Sequence, residues 1–443
     1  MDRNNEKPSC GQGARNAAKP AQKGPPASIE TEGDTHNLNL YAGITLEAIL
    51  EPSNLKEALK RVVANRGAPG IDGMEVGQLL DWIRNHPGQL TKTIKEGTYR
   101  PSPVKRVSIP KDEPGKFRDL GIPTVIDRLV QQATAQVLDW AYDRDFSDRS
   151  FGFRRNMRAH HALRVTAAEA DQGYRWAVDM DLAKFFDTVN HSRLIRKLSL
   201  KIKDGRVISL IHKMLRSGVQ INGETKPTEI GLMQGGPLSP LLANIYLDEL
   251  DKELEKRGHR FARYADDLIC ICKSRRAAER TLASLTRFVQ DKMLLKYGFY
   301  FSQAKGEVRL TIHKKSKQKL KDTIRQLLTR NPRTSIENVK QLLAQKLRGW
   351  MNYFQLADAQ RWTQEVDRWI RRRIRQLLWK TWKKVKTRIK ALIKLGADPA
   401  RAYYWGCTRK GYWRISNSHI LATTLTTDFL KRRGWSWLGC YKG

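Results

Sequence analysis

Two adjacent aspartates lie between short apolar runs, and this arrangement constrains the fold of the 443-residue chain more than any other feature. Residues 261–272 are predicted to form two strands around a tight turn that contains Tyr264-Ala265-Asp266-Asp267. Carboxylates at the tip of an apolar hairpin are costly to hold near a core unless a cation neutralises them. A solvated Asp-Asp turn is the alternative interpretation, because turns favour aspartate in any case.

A second acidic segment, Val178-Asp179-Met180-Asp181-Leu182, is also typical of a strand. If this strand neighbours the hairpin, one of its carboxylates can meet those of Asp266 and Asp267. Three converging carboxylates suit two-metal phosphoryl transfer, in which one Mg²⁺ activates the attacking hydroxyl and another stabilises the leaving oxygen. Asp179 has the same side-chain parity as Asp181 and is an alternative ligand, although a charge at the strand edge is its simpler interpretation.

The character of the chain changes near Leu310. Before it, predicted strands and helices interleave, which indicates a mixed α+β catalytic body. After it, helical patterns dominate, and nine of the twelve tryptophans lie in this part. Between Arg361 and Arg414 there are 17 Lys and Arg against 3 Asp and Glu, and the whole chain carries a net charge of +37. This excess predicts a polyanionic partner, first of all nucleic acid, although a cationic coat protein would share it.

The N-terminal residues 1–37 combine four prolines with many small and polar side chains, which predicts a flexible tail. The first residues contain no apolar run, and no stretch of ~18 apolar residues occurs anywhere. We therefore expect a soluble intracellular protein that makes no membrane contact.

Several segments follow one another in an order that is typical of one family. They are Asn65–Gly73, Gly121–Arg128, Phe151–Arg155, Asp181–Asp187, Gly231–Leu250, Tyr264–Asp267, Leu347–Phe354 and Trp369–Arg373. Together they resemble the reverse transcriptases encoded by bacterial group II introns, over roughly residues 40 to 440. The chain shows no Cys/His-rich cluster at its C-terminal end, so the resemblance is to members without an endonuclease domain.

The resemblance implies an α+β right-hand polymerase with fingers, palm and thumb, followed by a basic helical maturase domain. Residues 38–312 would form the fingers and palm, and residues 313–443 the thumb and the RNA-binding maturase (X) domain. The implied function is RNA-directed DNA polymerisation by two-metal nucleotidyl transfer, combined with binding of group II intron RNA to promote RNA splicing and intron mobility. The implied partners are that intron RNA, an RNA template, a DNA primer, dNTPs and target DNA, in a ribonucleoprotein of the bacterial cytoplasm.

The resemblance also assigns roles to single residues. Asp181, Asp266 and Asp267 would be the catalytic Mg²⁺ ligands. Lys111 and Arg118 would hold the incoming triphosphate, since both side chains bind phosphate well. Three further residues would complete the nucleotide-binding set, with Phe186 rejecting a 2′-hydroxyl and Gln234 and Gly235 lining the nucleotide and template pocket. Without the resemblance, a solvated hairpin, an apolar helix face and an ordinary turn would be the simpler interpretations of these positions.

The predicted RNA-binding residues lie in the basic C-terminal part. They are Arg348, Arg371, Arg372, Arg373, Arg375, Lys383 and Lys384. Residues 369–386 place an apolar stripe on one face of a helix and Lys and Arg on the other. A core stripe with a merely solvated charged face is the alternative, but crowded like charges repel unless an anion neutralises them.

The chain departs from the family after the predicted helix at residues 277–289. Relatives continue with an Asn-x-x-Lys-Ser step and a strand, whereas here Lys292–Lys296 runs almost directly into Tyr297–Phe301. A strand removed from a sheet would leave backbone groups of its neighbour unpaired. The alternative function is therefore an RNA-binding splicing cofactor whose polymerase is impaired by a deletion near Lys296–Tyr297.

Overall fold

The structure is a computed structural model that describes residues 41–110, 115, 117–182, 184–293, 295, 297–303, 310–329 and 334–441, with the backbone alone at 297–303. The predicted tail at residues 1–37 therefore lies outside the described residues. Backbone contacts divide the chain into two compact units: unit 1 is Met1–Asp145 with Phe186–Tyr246, and unit 2 is Phe146–Phe185 with Leu247–Gly443. The predicted domain boundary at residue 312 stays a prediction. In the described ranges, no helix is long and apolar enough to cross a membrane.

Helices and strands interleave in the first two thirds of the chain, as the sequence predicts, and the described residues from 310 onward form helices without a strand. The helices are α1 (Leu46–Leu50), α2 (Pro52–Asn65), α3 (Leu79–Asn85), α4 (Gln89–Lys95), α5 (Val125–Tyr142), α6 (Ala159–Asp171), α7 (Phe185–Thr188), α8 (His191–Lys201), α9 (Gly205–Leu215), α10 (Ser239–Lys256), α11 (Arg275–Arg287), α12 (Lys314–Leu327), α13 (Ile336–Tyr353), α14 (Gln360–Thr381), α15 (Val385–Lys394), α16 (Pro399–Gly406), α17 (Tyr412–Ile415), α18 (His419–Thr424) and α19 (Thr427–Arg432). The strands are β1 (Val104–Pro110), β2 (Phe117–Ile122), β3 (Trp176–Leu182), β4 (Val219–Ile221), β5 (Glu224–Lys226), β6 (Arg260–Tyr264), β7 (Asp267–Cys272) and β8 (Tyr297–Gln303). A short π-helix at Phe288–Lys292 continues α11.

Unit 1 contains a four-stranded sheet with the order β2-β1-β4-β5. The predicted hairpin of β1 and β2 is confirmed, since the two strands pair antiparallel from Lys105↔Ile122 to Pro110↔Phe117. Gly115 lies between them with a φ of 78°, in the left-handed region that glycine adopts without a steric penalty. Most residues of both strands are exposed, so the basic side chains of the hairpin lie at the protein surface.

Unit 2 contains the second sheet, with the order β6-β7-β3-β8 and antiparallel pairing throughout. On β3, the side chains of Val178, Met180 and Leu182 are buried, while Asp181 is exposed on the other face. This alternation is the period-two pattern of a strand with one covered face. Helix α11 packs against β3 and β7.

The expectation that a missing strand leaves the backbone groups of its neighbour unpaired is wrong for β3. β8 pairs with every residue of β3, from Trp176↔Gln303 to Leu182↔Tyr297, while β7 occupies the other edge of β3. The short connection suffices because residues 297–303 themselves supply the strand, directly after α11 and its π-helical extension. The backbone groups of β3 therefore have partners on both edges.

The C-terminal helices share one apolar core. On α14, Val366, Ile370, Ile374 and Leu377 are at most 1% exposed, at the spacing of a single helix face. This confirms the core stripe predicted for the basic segment. Trp379, Trp435 and Trp437 are buried in the same core, whereas Trp413 is 38% exposed.

Candidate active site and nucleic-acid surface

The two acidic segments meet across neighbouring strands of the unit 2 sheet. Asp181 on β3 lies directly opposite Asp267 on β7, and Asp179 lies opposite Ile269. Residues that are opposite in an antiparallel pair point to the same face, with β-carbons ~4.5–5.5 Å apart. Asp179, Asp181 and Asp267 therefore share the open face of the sheet, and the half-buried Asp266 lies in the adjoining turn.

The electrostatics of this face reflect crowded negative charge. Burial raises the pKa of the Asp267 carboxyl, and the charge of Asp266 raises it further. The charges of Asp181 and Asp179 act on the pKa of Asp267 in the same direction. The pKa of Asp179 is raised by burial and then by Asp181.

A hard divalent cation fits this donor set, because it binds carboxylate oxygens and neutralises the repulsion that raises these pKa values. In the described part of the chain, no three His, Cys, Asp or Glu side chains already surround a common point at metal-binding distance. The carboxylates are thus neighbours on one face rather than a closed cage. Such an open arrangement suits Mg²⁺, which usually takes one or two carboxylates together with substrate phosphates.

A buried arginine holds the turn between β6 and β7. Arg263 and Asp251, on α10, form an ion pair in which both side chains are 0% exposed, with Nε donating to Oδ1 at 2.7 Å. The same guanidinium donates to the carbonyl oxygen of Ala265 at 2.9 Å and to the hydroxyl of Ser150 at 2.7 Å. Ala265 has a φ of 60°, so this contact stabilises a backbone conformation that alanine rarely adopts.

The segment Phe151-Gly152 packs directly on this turn. The amide of Phe151 donates to the carbonyl of Arg263 at 2.8 Å. A β-carbon at Gly152 would lie 2.1 Å from the backbone nitrogen of Ala265, so only glycine fits there. Sequence reasoning did not identify Arg263, Asp251 or Gly152 as supports of the site. The available signal was an arginine inside an apolar strand, which does not reveal its buried partner.

The predicted nucleotide-binding residues lie in unit 1. Arg118 is exposed on β2 opposite Ile109, and Lys111 lies outside the described residues. Phe186 is half-buried, while its neighbour Phe185 fills the core at 2% exposure. The apolar packing role thus falls to Phe185, which leaves the ring of Phe186 partly accessible.

Backbone contacts connect the segment that contains Gln234 and Gly235 to Phe186 and to Gly121. The amide of Leu232 donates to the carbonyl of Phe186 at 2.5 Å, and the amide of Gly121 donates to the carbonyl of Gln234 at 2.7 Å. Gly235 has a φ of 121°, and a β-carbon there would lie 2.6 Å from the carbonyl oxygen of Gly121. The segment containing Gln234 and Gly235 is therefore bonded to both α7 and the end of β2.

The predicted RNA-binding arginines of α14 are half-buried, and several of them bond to neighbouring helices. Arg372 donates to the carbonyl of Trp413 at 3.0 Å, with its guanidinium 3.7 Å from the centre of that ring. Arg373 donates to the carbonyl of Leu328 at 3.3 Å, and Arg375 to the carbonyl of Leu425 at 3.0 Å. Arg371 lies over the ring of Trp437 at 5.2 Å.

The other three predicted RNA-binding residues are exposed. Lys383 and Lys384 lie in the segment between α14 and α15. Arg348, on α13, is exposed with its guanidinium 5.5 Å from the centre of the Tyr441 ring. Of the predicted set, these three have the charge most accessible to a phosphate backbone.

Comparisons with known proteins agree on one family. Residues 109–340 match the family described as reverse transcriptase (RNA-dependent DNA polymerase), and residues 317–396 match the group II intron maturase-specific domain. The group II intron-encoded protein LtrA of Lactococcus lactis subsp. cremoris is 38% identical over 224 residues, which are 50% of this chain and 37% of LtrA. Protein YkfC of Escherichia coli strain K12 is 36% identical over 218 residues, 48% of this chain and 57% of YkfC.

A solved structure named "Partial Cas6-RT-Cas1--Cas2 complex" contains a chain that is 27% identical, with a TM-score of 0.36. The match covers 55% of this chain and 42% of that chain. The chain thus spans between about a third and three fifths of the relatives it matches.

Proposed function

The chain belongs to the reverse transcriptase family and carries a group II intron maturase domain, and on this basis we propose that it is an RNA-directed DNA polymerase. The observation that carries the proposal is the pairing of Asp181 with Asp267 across β3 and β7, beside Asp266 in the turn. Three carboxylates on one open face can bind the metal ions on which nucleotidyl transfer depends. The substrates would be an RNA template, a DNA primer and dNTPs.

In this proposal Asp181, Asp266 and Asp267 hold two Mg²⁺ ions. When bound, these ions would activate the 3′-hydroxyl of the primer and stabilise the leaving pyrophosphate. The protein's own contribution is to present the carboxylates in fixed register on two paired strands, with the turn held by Arg263. Asp179 would add negative charge beside Asp181 on the same face.

The nucleotide-binding roles are also proposals. Arg118 and Lys111 would bind the triphosphate of the incoming nucleotide by charge-assisted hydrogen bonds. Phe186 would exclude a 2′-hydroxyl by its bulk, and Gln234 and Gly235 would contact the nucleotide and template. In this arrangement the sheet of unit 2 is the palm, the β1–β2 hairpin belongs to the fingers, and the thumb begins near α12.

The C-terminal helices would bind the RNA of the host intron, promote its splicing and, with target DNA, its mobility. The match to the maturase-specific domain and the exposed Lys383, Lys384 and Arg348 support this part of the proposal. The active form would then be a ribonucleoprotein, in which the intron RNA neutralises much of the protein's positive charge.

Primer extension on an RNA template tests the polymerase assignment. We expect Asp266→Ala to abolish dNTP incorporation, because the metal ions lose a shared ligand. Binding of RNA should stay close to the wild-type affinity, since the basic side chains are unchanged. Asp171→Ala, at the exposed end of α6, is the matched control and should extend the primer normally.

An Asp266→Ala protein that extends the primer at the wild-type rate would remove this carboxylate from the mechanism. The second candidate function is an RNA-binding splicing cofactor with an impaired polymerase. If wild-type protein binds intron RNA and promotes splicing but extends no primer, that second function is the correct one.

A further inference from the structure

Unit 2 contains a cavity of about 890 Å³, and of its lining residues only Arg373 belongs to the predicted RNA-binding set. Its walls come from the end of α12, from one face of α14, and from the segment that begins α17. Its lining includes Arg325, Trp369, Arg373, Gln376, Trp413 and Arg414. The volume lies in the range of ~300–1,000 Å³ that is typical of sites for small ligands.

The α14 wall of the cavity is one helix face. Trp369, Arg373 and Gln376 are separated by four and then three residues, so their side chains lie above one another. The ring of Trp369 is flanked by two guanidinium groups, with Arg373 at 5.3 Å and Arg325 at 5.8 Å from its centre. The wall thus combines an aromatic surface with positive charge.

The opposite wall repeats this combination. Trp413 is 38% exposed and stacks with Arg372, while Arg414 is exposed beside it. Tyr412 accepts a hydrogen bond from the ammonium of Lys380 at 3.4 Å. Indole rings stack on nucleobases of any sequence, and arginine side chains bind the adjoining phosphates.

An uncharged polar side chain, that of Gln376, also lines the cavity. Gln376 is 7% exposed, and no described residue forms a hydrogen bond with its side-chain amide. This amide is not one of the solvent-inaccessible polar atoms without a partner among the described residues, so a molecule in the cavity can reach it. An amide that carries both a donor and an acceptor can bind the edge of a nucleobase.

We propose that this cavity binds one unpaired nucleotide, whose base packs against Trp369 and Trp413 and whose edge contacts the amide of Gln376. Arg325, Arg373 and Arg414 supply the positive charge for its phosphates. The inference rests on the proposed binding of RNA by the C-terminal helices, and RNA is the expected source of the nucleotide. An unpaired nucleotide of single-stranded DNA has the same chemistry, and the experiment separates the two.

Binding of fluorescent oligonucleotides by the full-length protein tests the proposal. The probes are adenine, cytosine and uracil homopolymers of RNA and an adenine homopolymer of DNA, each of about 12 nucleotides, within the ~4–16 nucleotides of typical single-strand sites. We expect the wild-type protein to bind one RNA base more tightly than the others. Gln376→Leu, which keeps the volume but removes the amide, should weaken that preferred complex by about tenfold and reduce the preference between bases.

Two further variants make the result specific. Gln341→Leu, an exposed glutamine on α13, is the matched control and should bind every probe as the wild type does. Arg414→Gln removes an exposed charge at the cavity and should reduce the slope of log K against log[salt] by ~0.7. If Gln376→Leu lowers the melting temperature, the salt slope of Arg414→Gln tests the cavity proposal in its place, because the Arg414 side chain is outside the core.

The outcomes separate the cavity proposal from the proposed RNA-binding function of the C-terminal helices. Wild-type protein that binds no RNA overturns both the cavity proposal and the proposed RNA-binding function. Wild-type protein that binds RNA, with Gln376→Leu folded and equal to it on every probe, overturns the cavity proposal alone. If the adenine DNA probe shows the larger loss, the cavity serves a DNA strand and the RNA assignment is wrong.

Discussion

At the scale of single residues, the face that carries Asp181 and Asp267 depends on a side chain that does not reach it. Arg263 is buried behind the turn, where it compensates the charge of Asp251 and bonds to the carbonyl of Ala265. A buried ion pair contributes little net stability, but the loss of one partner leaves an uncompensated charge in the core. The pair therefore sets the position of Asp266 and Asp267 rather than the stability of the whole unit.

This reasoning predicts opposite effects from single and double substitution. Arg263→Met should destabilise the protein by about 3–5 kcal/mol, because Asp251 stays buried without its partner. Arg263→Met combined with Asp251→Leu should recover most of that loss in thermal unfolding. Primer extension should stay low in both proteins, since neither has a donor for the Ala265 carbonyl. Equal melting temperatures for the single variant and the wild type would contradict this account.

At the scale of elements, β8 bears on whether the short connection after α11 impairs the proposed polymerase. The sheet has a partner for each edge of β3, so unpaired backbone groups on this strand give no reason to expect an impaired polymerase. The Asn-x-x-Lys-Ser step is still expected to be missing between α11 and β8, but the pairing of the central strand β3 is complete. We therefore expect the polymerase to tolerate the shorter connection.

Insertion of a family-like Val-Asn-x-x-Lys-Ser segment with its strand between Lys296 and Tyr297 tests this expectation. The insert has no free edge of β3 to occupy, so primer extension should stay the same or decrease. The comparison requires equal concentrations of folded protein, checked by thermal unfolding. A clear increase in extension after insertion would restore the deletion hypothesis.

At the scale of the whole molecule, the basic side chains behind the net charge of +37 have two different roles. Arg372, Arg373 and Arg375 donate hydrogen bonds to carbonyls of neighbouring segments, so part of the basic character of α14 holds the helices together. Lys383 and Lys384 are exposed and free to face an anion. Counts of charge along the sequence do not distinguish these roles.

The exposed lysines and the hydrogen-bonded arginines should respond differently to substitution. Lys383→Ala with Lys384→Ala should weaken RNA binding and reduce the salt slope by ~0.7 for each lost phosphate contact, with little change in melting temperature. Lys252→Ala with Lys256→Ala, on α10, removes the same charge elsewhere and is the control. Joint replacement of Arg371, Arg372 and Arg373 by alanine should lower the melting temperature as well as the affinity. An unchanged salt slope in the lysine variant would show that these two side chains do not contact phosphate.

The sequence alone determined the elements that local pattern encodes. The strand at 176–182, the hairpin at 260–272 and the apolar stripe of α14 all have the predicted type, because periodicity and turn residues act between near neighbours. Strand parity also placed Asp179 and Asp181 on one face. The same segments, together with the ordered motifs around them, also identified Asp181, Asp266 and Asp267 as the candidate metal ligands.

Only the tertiary structure decided which distant residues meet. It paired Asp181 with Asp267, supplied β8 as the second neighbour of β3, and buried Arg263 against Asp251. It also separated the bonded arginines from the exposed lysines and left Gln376 facing a cavity. Register and burial depend on contacts between residues that can be far apart in the chain, and no local pattern records them.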